Sequence, residues 1–177
     1  MADRSASVVQ VFVLGIDPGL SRCGYSVLDS RPRKPRAVAM GVLRTDPAHP
    51  VPNRLAELQA EFRGLFDEFE PSVLAIERLF VQHNLRTAIS VGQASGLVLA
   101  EAASRGISVA EYSPNQVKGA VAGDGRADKR AIQEMVQTML GLSELPKPAD
   151  AADAAAVALC HLSHEPLSAG ARRGAAV

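Results

Sequence analysis

The chain has 177 residues, of which 47% are apolar and 4% aromatic, and its 19 basic residues balance 19 acidic ones. This length suits a single domain whose core is built from Ala, Val, Leu and Ile rather than from aromatic rings. The zero formal charge excludes a protein that binds nucleic acid through uniform positive charge, so such a role requires basic and acidic residues on different faces.

Three short strands open the predicted domain. Residues 8–14 and Ile16 are apolar enough for a strand covered on both faces, yet they lead directly into Asp17. Residues 23–29 and 37–44 favour two further strands, separated by a basic loop that prolines interrupt. Because the connections are short, we expect an antiparallel meander. An acid at the end of a buried strand either opens a turn, as Asp-Pro-Gly often does, or belongs to a site.

The next two elements predict a parallel crossover. We expect Asn53 to cap an amphipathic helix that continues to about Glu70. The apolar run 73–76 then forms a fourth strand, which ends in Glu77 just as the first strand ends in an acid. A right-handed crossover would lay this strand parallel to the first and beside it. Asp17 and Glu77 would then meet at the end of the sheet where ligand sites of α/β proteins usually lie.

A long helix is predicted over residues 84–105. It carries no charge between Arg86 and Glu101, which is unusual for a helix that covers a sheet on one side only. A well-covered core helix and a homodimer contact both account for this pattern.

Four elements complete the predicted domain. They are a fifth strand at 107–112, a short helix at 114–121 capped by Ser113, a helix capped by Asp128 that continues to about Leu140, and a last helix at 149–164. We expect residues 1–7 to be a flexible arm, residues 8–165 to form one domain, and residues 166–177 to be a disordered tail.

Cysteine use and hydropathy predict the compartment. Cys23 and Cys160 lie far apart, in a predicted strand and a predicted helix, which favours reduced core thiols in a cytoplasmic protein. We expect no signal peptide and no membrane span.

The last helix adds two carboxylates to the two at the strand ends. The i, i+3 spacing of Asp150 and Asp153 places both on one helical face, although first-turn acids also occur as caps or as partners of the helix dipole. The surrounding alanines would let the helix pack closely against the sheet, beside Asp17 and Glu77. Four carboxylates without a His or Cys ligand set favour two hard ions, Mg²⁺ or Mn²⁺. Such a pair of ions supports in-line phosphodiester hydrolysis.

From about Val11 to His164 the chain resembles the RuvC family of Holliday-junction resolvases. The markers are G-I-D-P-G at 15–19, A-I-E at 75–77 with Phe80 close behind, G-Q-A-S-G at 92–96, Q-V-K at 116–118 and D-A-A-D at 150–153. Each marker is weak alone, but their order and spacing together are specific.

The resemblance implies a fold and an activity. The fold is RNase H-like α/β, a five-stranded mixed sheet with antiparallel strands 1–3 and parallel strands 4–5, flanked by helices. The activity is Mg²⁺-dependent, symmetric nicking of four-way DNA junctions by a homodimer during recombination and repair, together with the RuvA–RuvB branch-migration proteins. The resemblance assigns Asp17, Glu77, Asp150 and Asp153 to catalysis and metal binding.

The resemblance also implies DNA contacts. Phe80 matches a family aromatic residue that stacks on an unpaired base near the crossover, and Lys118 and Lys129 match basic residues beside the scissile backbone. Arg86 and Arg130 are further candidates.

Other protein classes share single features of this sequence. Actin-like and sugar-kinase ATPases have a similar G-I-D-x-G hairpin. They require two such domains and a second phosphate loop, however, for which 177 residues leave no room. A dinucleotide-binding domain is excluded because no G-x-G-x-x-G follows the first strand. A junction-binding module without nuclease activity stays as the alternative.

Overall fold

The computed structural model describes residues 11–78 and 85–164. The predicted N-terminal arm, the predicted C-terminal tail and Phe80 lie outside the described residues, as does the side chain of Arg86.

Five strands form one mixed sheet in the order β3-β2-β1-β4-β5. The strands are β1 (Phe12–Asp17), β2 (Arg22–Asp29), β3 (Arg36–Arg44), β4 (Val73–Glu77) and β5 (Ser108–Tyr112). The first three are antiparallel neighbours, whereas β4 runs parallel to both β1 and β5. The predicted mixed five-stranded architecture is therefore confirmed.

Helices cover both faces of this sheet. They are α1 (Val51–Phe69), α2 (Leu85–Ser104), α3 (Pro114–Ala122), α4 (Lys129–Leu140) and α5 (Ala149–His164). Side chains alternate along β1, so that Phe12, Leu14 and Ile16 pack with α1 and α2, while Val13 packs with α3, α4 and α5. The continuous apolar run of β1 follows from this double coverage. Within the described ranges, no helix is both long and apolar enough to cross a membrane.

The start of α1 differs from the prediction. The helix begins at Val51 with Pro50 as its N-cap, so Asn53 lies in the first turn and does not cap it. Proline is well suited to the first turn of a helix because the N–H it lacks would have no partner there. The buried guanidinium of Arg54 on this turn donates to Thr45 Oγ1 at 2.9 Å and to Ser21 Oγ at 2.5 Å. The helix thereby supports the loop that joins β1 to β2.

The predicted helix caps of the second half are confirmed. The Ser113 hydroxyl accepts a hydrogen bond from the backbone N–H of Gln116, and the Asp128 carboxylate accepts one from that of Ala131. Both helices begin directly after these residues.

The predicted core thiols are confirmed as well. Cys23 and Cys160 are buried and free, and burial raises the pKa of their thiols to about 12 and about 11. At neutral pH they are therefore protonated and weakly nucleophilic.

Candidate active site

The crossover brings two strand-end acids to the same end of the sheet. The parallel register pairs Gly15 with Ala75 and Ile16 with Ile76, so Asp17 and Glu77 follow at adjacent strand ends. This confirms the placement predicted from the sequence. A cavity of about 220 Å³ opens there, and both carboxylates line it.

Helix α5 packs directly against β1 and β2 because glycines leave room for its backbone. A Cβ atom at Gly24 would overlap the carbonyl oxygen of Asp150, and one at Gly15 would overlap that of Ala154. On the helix side, small buried residues complete the contact; they are Ala151, Ala152, Ala154, Ala155, Ala156 and Ala158. The close approach predicted from the alanines therefore depends equally on two glycines of the sheet.

This packing assembles three carboxylates. Asp17, Asp150 and Asp153 each place one oxygen within 4.8 Å of the others, and all three side chains are half-buried. Glu77 is not part of this tight group, but it lines the cavity beside Asp17 and Asp153. A set of anionic oxygens without nitrogen or sulfur ligands suits a hard divalent cation.

The electrostatics of the site also favour a cation. Burial, followed by the charges of Asp153, Glu77 and Asp150, raises the pKa of Asp17 to about 7. Burial is also the largest cause that raises the pKa values of Glu77 and Asp153. Crowded carboxylates that resist ionisation would be stabilised by a bound cation, so the residues present fit a metal centre.

Two basic side chains contact the acids on α5. Arg22 donates from both Nε and Nη2 to Asp150 Oδ2, and the Nε bond measures 2.9 Å. Lys129 Nζ lies 3.5 Å from Asp153 Oδ2. Lys129 was expected from the family resemblance, whereas no role was predicted for Arg22. The sequence could have indicated this position. Arg22 is the first residue of β2, and the antiparallel pairing of β2 with β1 places that end of β2 near Asp17 at the end of β1.

The remaining predicted contacts fall in different places. Lys118 lines the cavity together with Lys129. Arg130, by contrast, is exposed on α4 and forms an ion pair with Glu134 at 2.8 Å. Of the predicted DNA contacts whose side chains the structure describes, Lys118 and Lys129 therefore lie beside the acids, and Arg130 does not line the cavity.

His161 on α5 lies in the interior, away from the acids at the start of that helix. It is buried, and its Nδ1 lies 2.9 Å from the hydroxyl of Tyr112 on β5.

Comparison with known proteins gives one consistent result. The family model described as crossover junction endodeoxyribonuclease RuvC matches residues 13–161. Curated proteins of that name from Leifsonia xyli subsp. xyli and Desulfitobacterium hafniense are 49% and 50% identical to this chain. The first alignment covers 92% of this chain and 79% of the relative, and the second covers 85% and 92%.

Solved structures agree with the sequence matches. T. thermophilus RuvC in complex with a Holliday junction substrate superposes with a TM-score of 0.81 at 37% identity, over 86% of this chain and 93% of that one. The yeast mitochondrial Holliday junction resolvase shares the fold. It superposes with a TM-score of 0.62 at 18% identity, over 87% of this chain and 80% of that one.

Proposed function

Because the chain belongs to the RuvC family of crossover junction endodeoxyribonucleases, we propose that it resolves Holliday junctions by hydrolysing DNA phosphodiester bonds. One structural observation supports this most: three carboxylates from two separate segments place oxygens within 4.8 Å of one another beside a cavity that two lysines line. A junction-binding module without nuclease activity would not require this costly clustering of acids.

Asp17, Glu77, Asp150 and Asp153 are the proposed ligands of two Mg²⁺ or Mn²⁺ ions. When bound, such ions supply Lewis-acid stabilisation of the charge that develops on the attacked phosphate. The four carboxylates are carried by β1, β4 and α5, which meet at one end of the sheet.

Lys118 and Lys129 are the proposed phosphate contacts in the cavity. Their ammonium groups lie beside the acids, where the scissile strand must pass, and they attract phosphate without reading base sequence. Arg130 is proposed as a weaker contact next to Lys129, and Arg86 as another. We also propose that Phe80, three residues beyond Glu77, stacks on an unpaired base.

A homodimer is proposed because a four-way junction has approximate two-fold symmetry and paired nicks require two sites. Helix α2 supports this, since Ile89 is 54% exposed on a helix that is otherwise rich in small and apolar residues. Cooperation with RuvA–RuvB, a cytoplasmic location and a single domain over residues 8–165 are proposed from family membership.

The decisive experiment compares cleavage of a synthetic four-way junction and of a linear duplex, each with Mg²⁺ and with EDTA. We expect paired nicks in the junction only when Mg²⁺ is present. Asp17→Asn should bind the junction and leave it uncut. If the wild-type protein binds the junction but leaves it intact in Mg²⁺, the binding-module alternative is correct.

A further inference from the structure

The four acids of the site differ in their ion-pair partners. The two on α5 each have a basic partner, Arg22 on Asp150 and Lys129 on Asp153. Within residues 11–78 and 85–164, no basic side chain forms an ion pair with Asp17 or Glu77. The charges of Lys118 and Lys129 act on Glu77 without a direct ion pair, so the direct ion pairs described at the site are on the helix-borne carboxylates.

Arg22 contacts a carboxylate that is also a proposed metal ligand. Both of its hydrogen bonds end on the same oxygen, Asp150 Oδ2, and that carboxylate also belongs to the group of three acids. A hard divalent cation binds carboxylate oxygens directly, at a little over 2 Å, and it repels a neighbouring guanidinium. A metal ion bound to Asp150 Oδ2 and the ion pair of Arg22 with the same oxygen are therefore in competition.

We propose that Arg22 is the resident counter-ion of Asp150 and that a divalent cation must displace it to bind Asp150 Oδ2. This inference rests on the proposed function, because it concerns the same carboxylates. Arg22 is then a positioning residue: it neutralises Asp150 before the metal arrives and lowers the affinity of the free protein for metal.

The surroundings of Arg22 allow its side chain to leave Asp150 while its backbone stays in place. The backbone before it is held firmly, because the Thr45 hydroxyl donates to the carbonyl of Leu20 at 2.7 Å and the buried Arg54 donates to the Ser21 hydroxyl. The Arg22 side chain, by contrast, is 45% exposed. It can leave Asp150 with little loss of packing, whereas the loop that carries it stays in place.

The size of the effect follows from the exposure of the pair. Partly exposed ion pairs change an equilibrium by up to roughly fivefold. Removing the guanidinium also removes its repulsion of the incoming ion. We therefore expect Arg22→Gln to bind divalent cations about fivefold more tightly than the wild-type protein, not more weakly.

The test is Mn²⁺ binding to the full chain without DNA, measured by the loss of the free Mn²⁺ signal in electron paramagnetic resonance. Arg22→Gln should lower the Kd about fivefold, and Arg22→Lys should stay close to the wild type. The matched control is Arg126→Gln, an arginine that is 94% exposed, pairs with Asp124 and does not line the cavity. It should leave the Kd unchanged. Thermal unfolding in EDTA checks that each variant is folded.

The outcomes separate this inference from the proposed function. An equal Kd for Arg22→Gln would show that the ion pair does not compete with metal, and a higher Kd would show that Arg22 instead holds Asp150 in a binding geometry. Either result overturns the counter-ion role while junction cleavage by the wild type stands. If neither wild type nor Arg22→Gln binds Mn²⁺, both the metal centre and this inference fail.

Discussion

The backbone of Gly24 on β2 lies directly beneath the carbonyl oxygen of Asp150 on α5, with no space for a side chain between them. Gly24 is also the antiparallel partner of Asp17. One glycine therefore sets the distance between a carboxylate at the end of β1 and the helix that carries two more. The geometry of the acidic group depends on this backbone-to-backbone packing as much as on the acids themselves.

Gly24→Ala should disrupt the site without removing any acid. A methyl group would overlap the Asp150 carbonyl, so the start of α5 must move away from the sheet. Overpacking of this kind costs about 1–3 kcal/mol of stability. We expect a lower midpoint in urea unfolding and a loss of junction cleavage larger than the stability change explains.

Gly64→Ala is the control for this substitution. Gly64 lies exposed on α1, where an added Cβ meets no atom within 4 Å. Because alanine favours helix over glycine by up to about 1 kcal/mol, this variant should be at least as stable as the wild type and equally active. Normal cleavage by Gly24→Ala would show that the carboxylates tolerate a displaced α5.

Asp17 should destabilise the metal-free protein at neutral pH. Burial and neighbouring carboxylates raise the pKa of Asp17 to about 7, above its ordinary value of 3.8. The folded protein therefore holds this proton more tightly than the unfolded chain does. The resulting stability is complete below pH 3.8 and is lost as pH rises through about 7.

Asp17→Asn should remove this pH dependence. Measured in EDTA at pH 7.5, the variant should be more stable than the wild type by about 1–3 kcal/mol, and the difference should shrink towards pH 4. Thermal unfolding across this range checks the prediction, and the comparison between variants cancels the other titrating groups. A variant that is less stable at pH 7.5 would mean that the Asp17 carboxylate makes a favourable interaction that the asparagine amide cannot replace.

Local patterns in the sequence predicted most of the fold. The apolar runs that end in Asp17 and Glu77 predicted two neighbouring parallel strands, and the polar residues Ser113 and Asp128 predicted two helix starts. These succeeded because capping and strand burial depend on residues close in sequence. Asn53 failed as a cap because prolines at 50 and 52 compete for the same helix start, and a proline in the first turn was favoured.

The meeting of acids from β1, β4 and α5 was predictable from the sequence, but its detailed geometry was not. Spacing showed that Asp150 and Asp153 share a helical face, yet it could not show that Glu77 lies outside the tight group of acids. The pairing of Arg22 with Asp150 joins residues 128 positions apart, and it depends on where α5 crosses the sheet. The position at which α5 crosses the sheet depends on its close backbone contacts with Gly15 and Gly24. The spacing of apolar residues along the sequence does not reveal these contacts.

Lys118→Ala should weaken junction binding through a lost phosphate contact. Each phosphate neutralised by a lysine contributes about 0.9 to the slope of log affinity against log salt. We expect the slope for Lys118→Ala to be smaller by about one, with the preference for junction over linear duplex retained. Fluorescence anisotropy across a salt series measures both quantities.

Lys147→Ala provides the control for Lys118, since Lys147 is exposed before α5 and does not line the cavity. Its salt slope should match that of the wild type. An unchanged slope for Lys118→Ala, with slower cleavage, would instead assign Lys118 to the chemical step alone.

Ile89→Arg should convert the proposed dimer into a monomer. Ile89 is 54% exposed on α2, and an arginine placed in an apolar contact between two copies would bury an unpaired charge. Because Ile89 faces solvent in a single subunit, the substitution itself should change the stability of that subunit by no more than about 0.5 kcal/mol. Sedimentation equilibrium should show half the wild-type mass, and a junction on a supercoiled plasmid should receive single nicks in place of paired ones.

Val38→Arg separates this effect from a general loss of exposed apolar surface. Val38 is 47% exposed on β3, which lies at the sheet edge opposite β5, and no dimer contact is proposed there. This variant should sediment as the wild type does and should make paired nicks. If Ile89→Arg also stays dimeric, the two copies meet on a different surface, and the uncharged stretch of α2 serves the core of one subunit. If Ile89→Arg is still dimeric but makes single nicks, Ile89 instead contacts the DNA. In that case both active sites are present, but only one of them engages the junction.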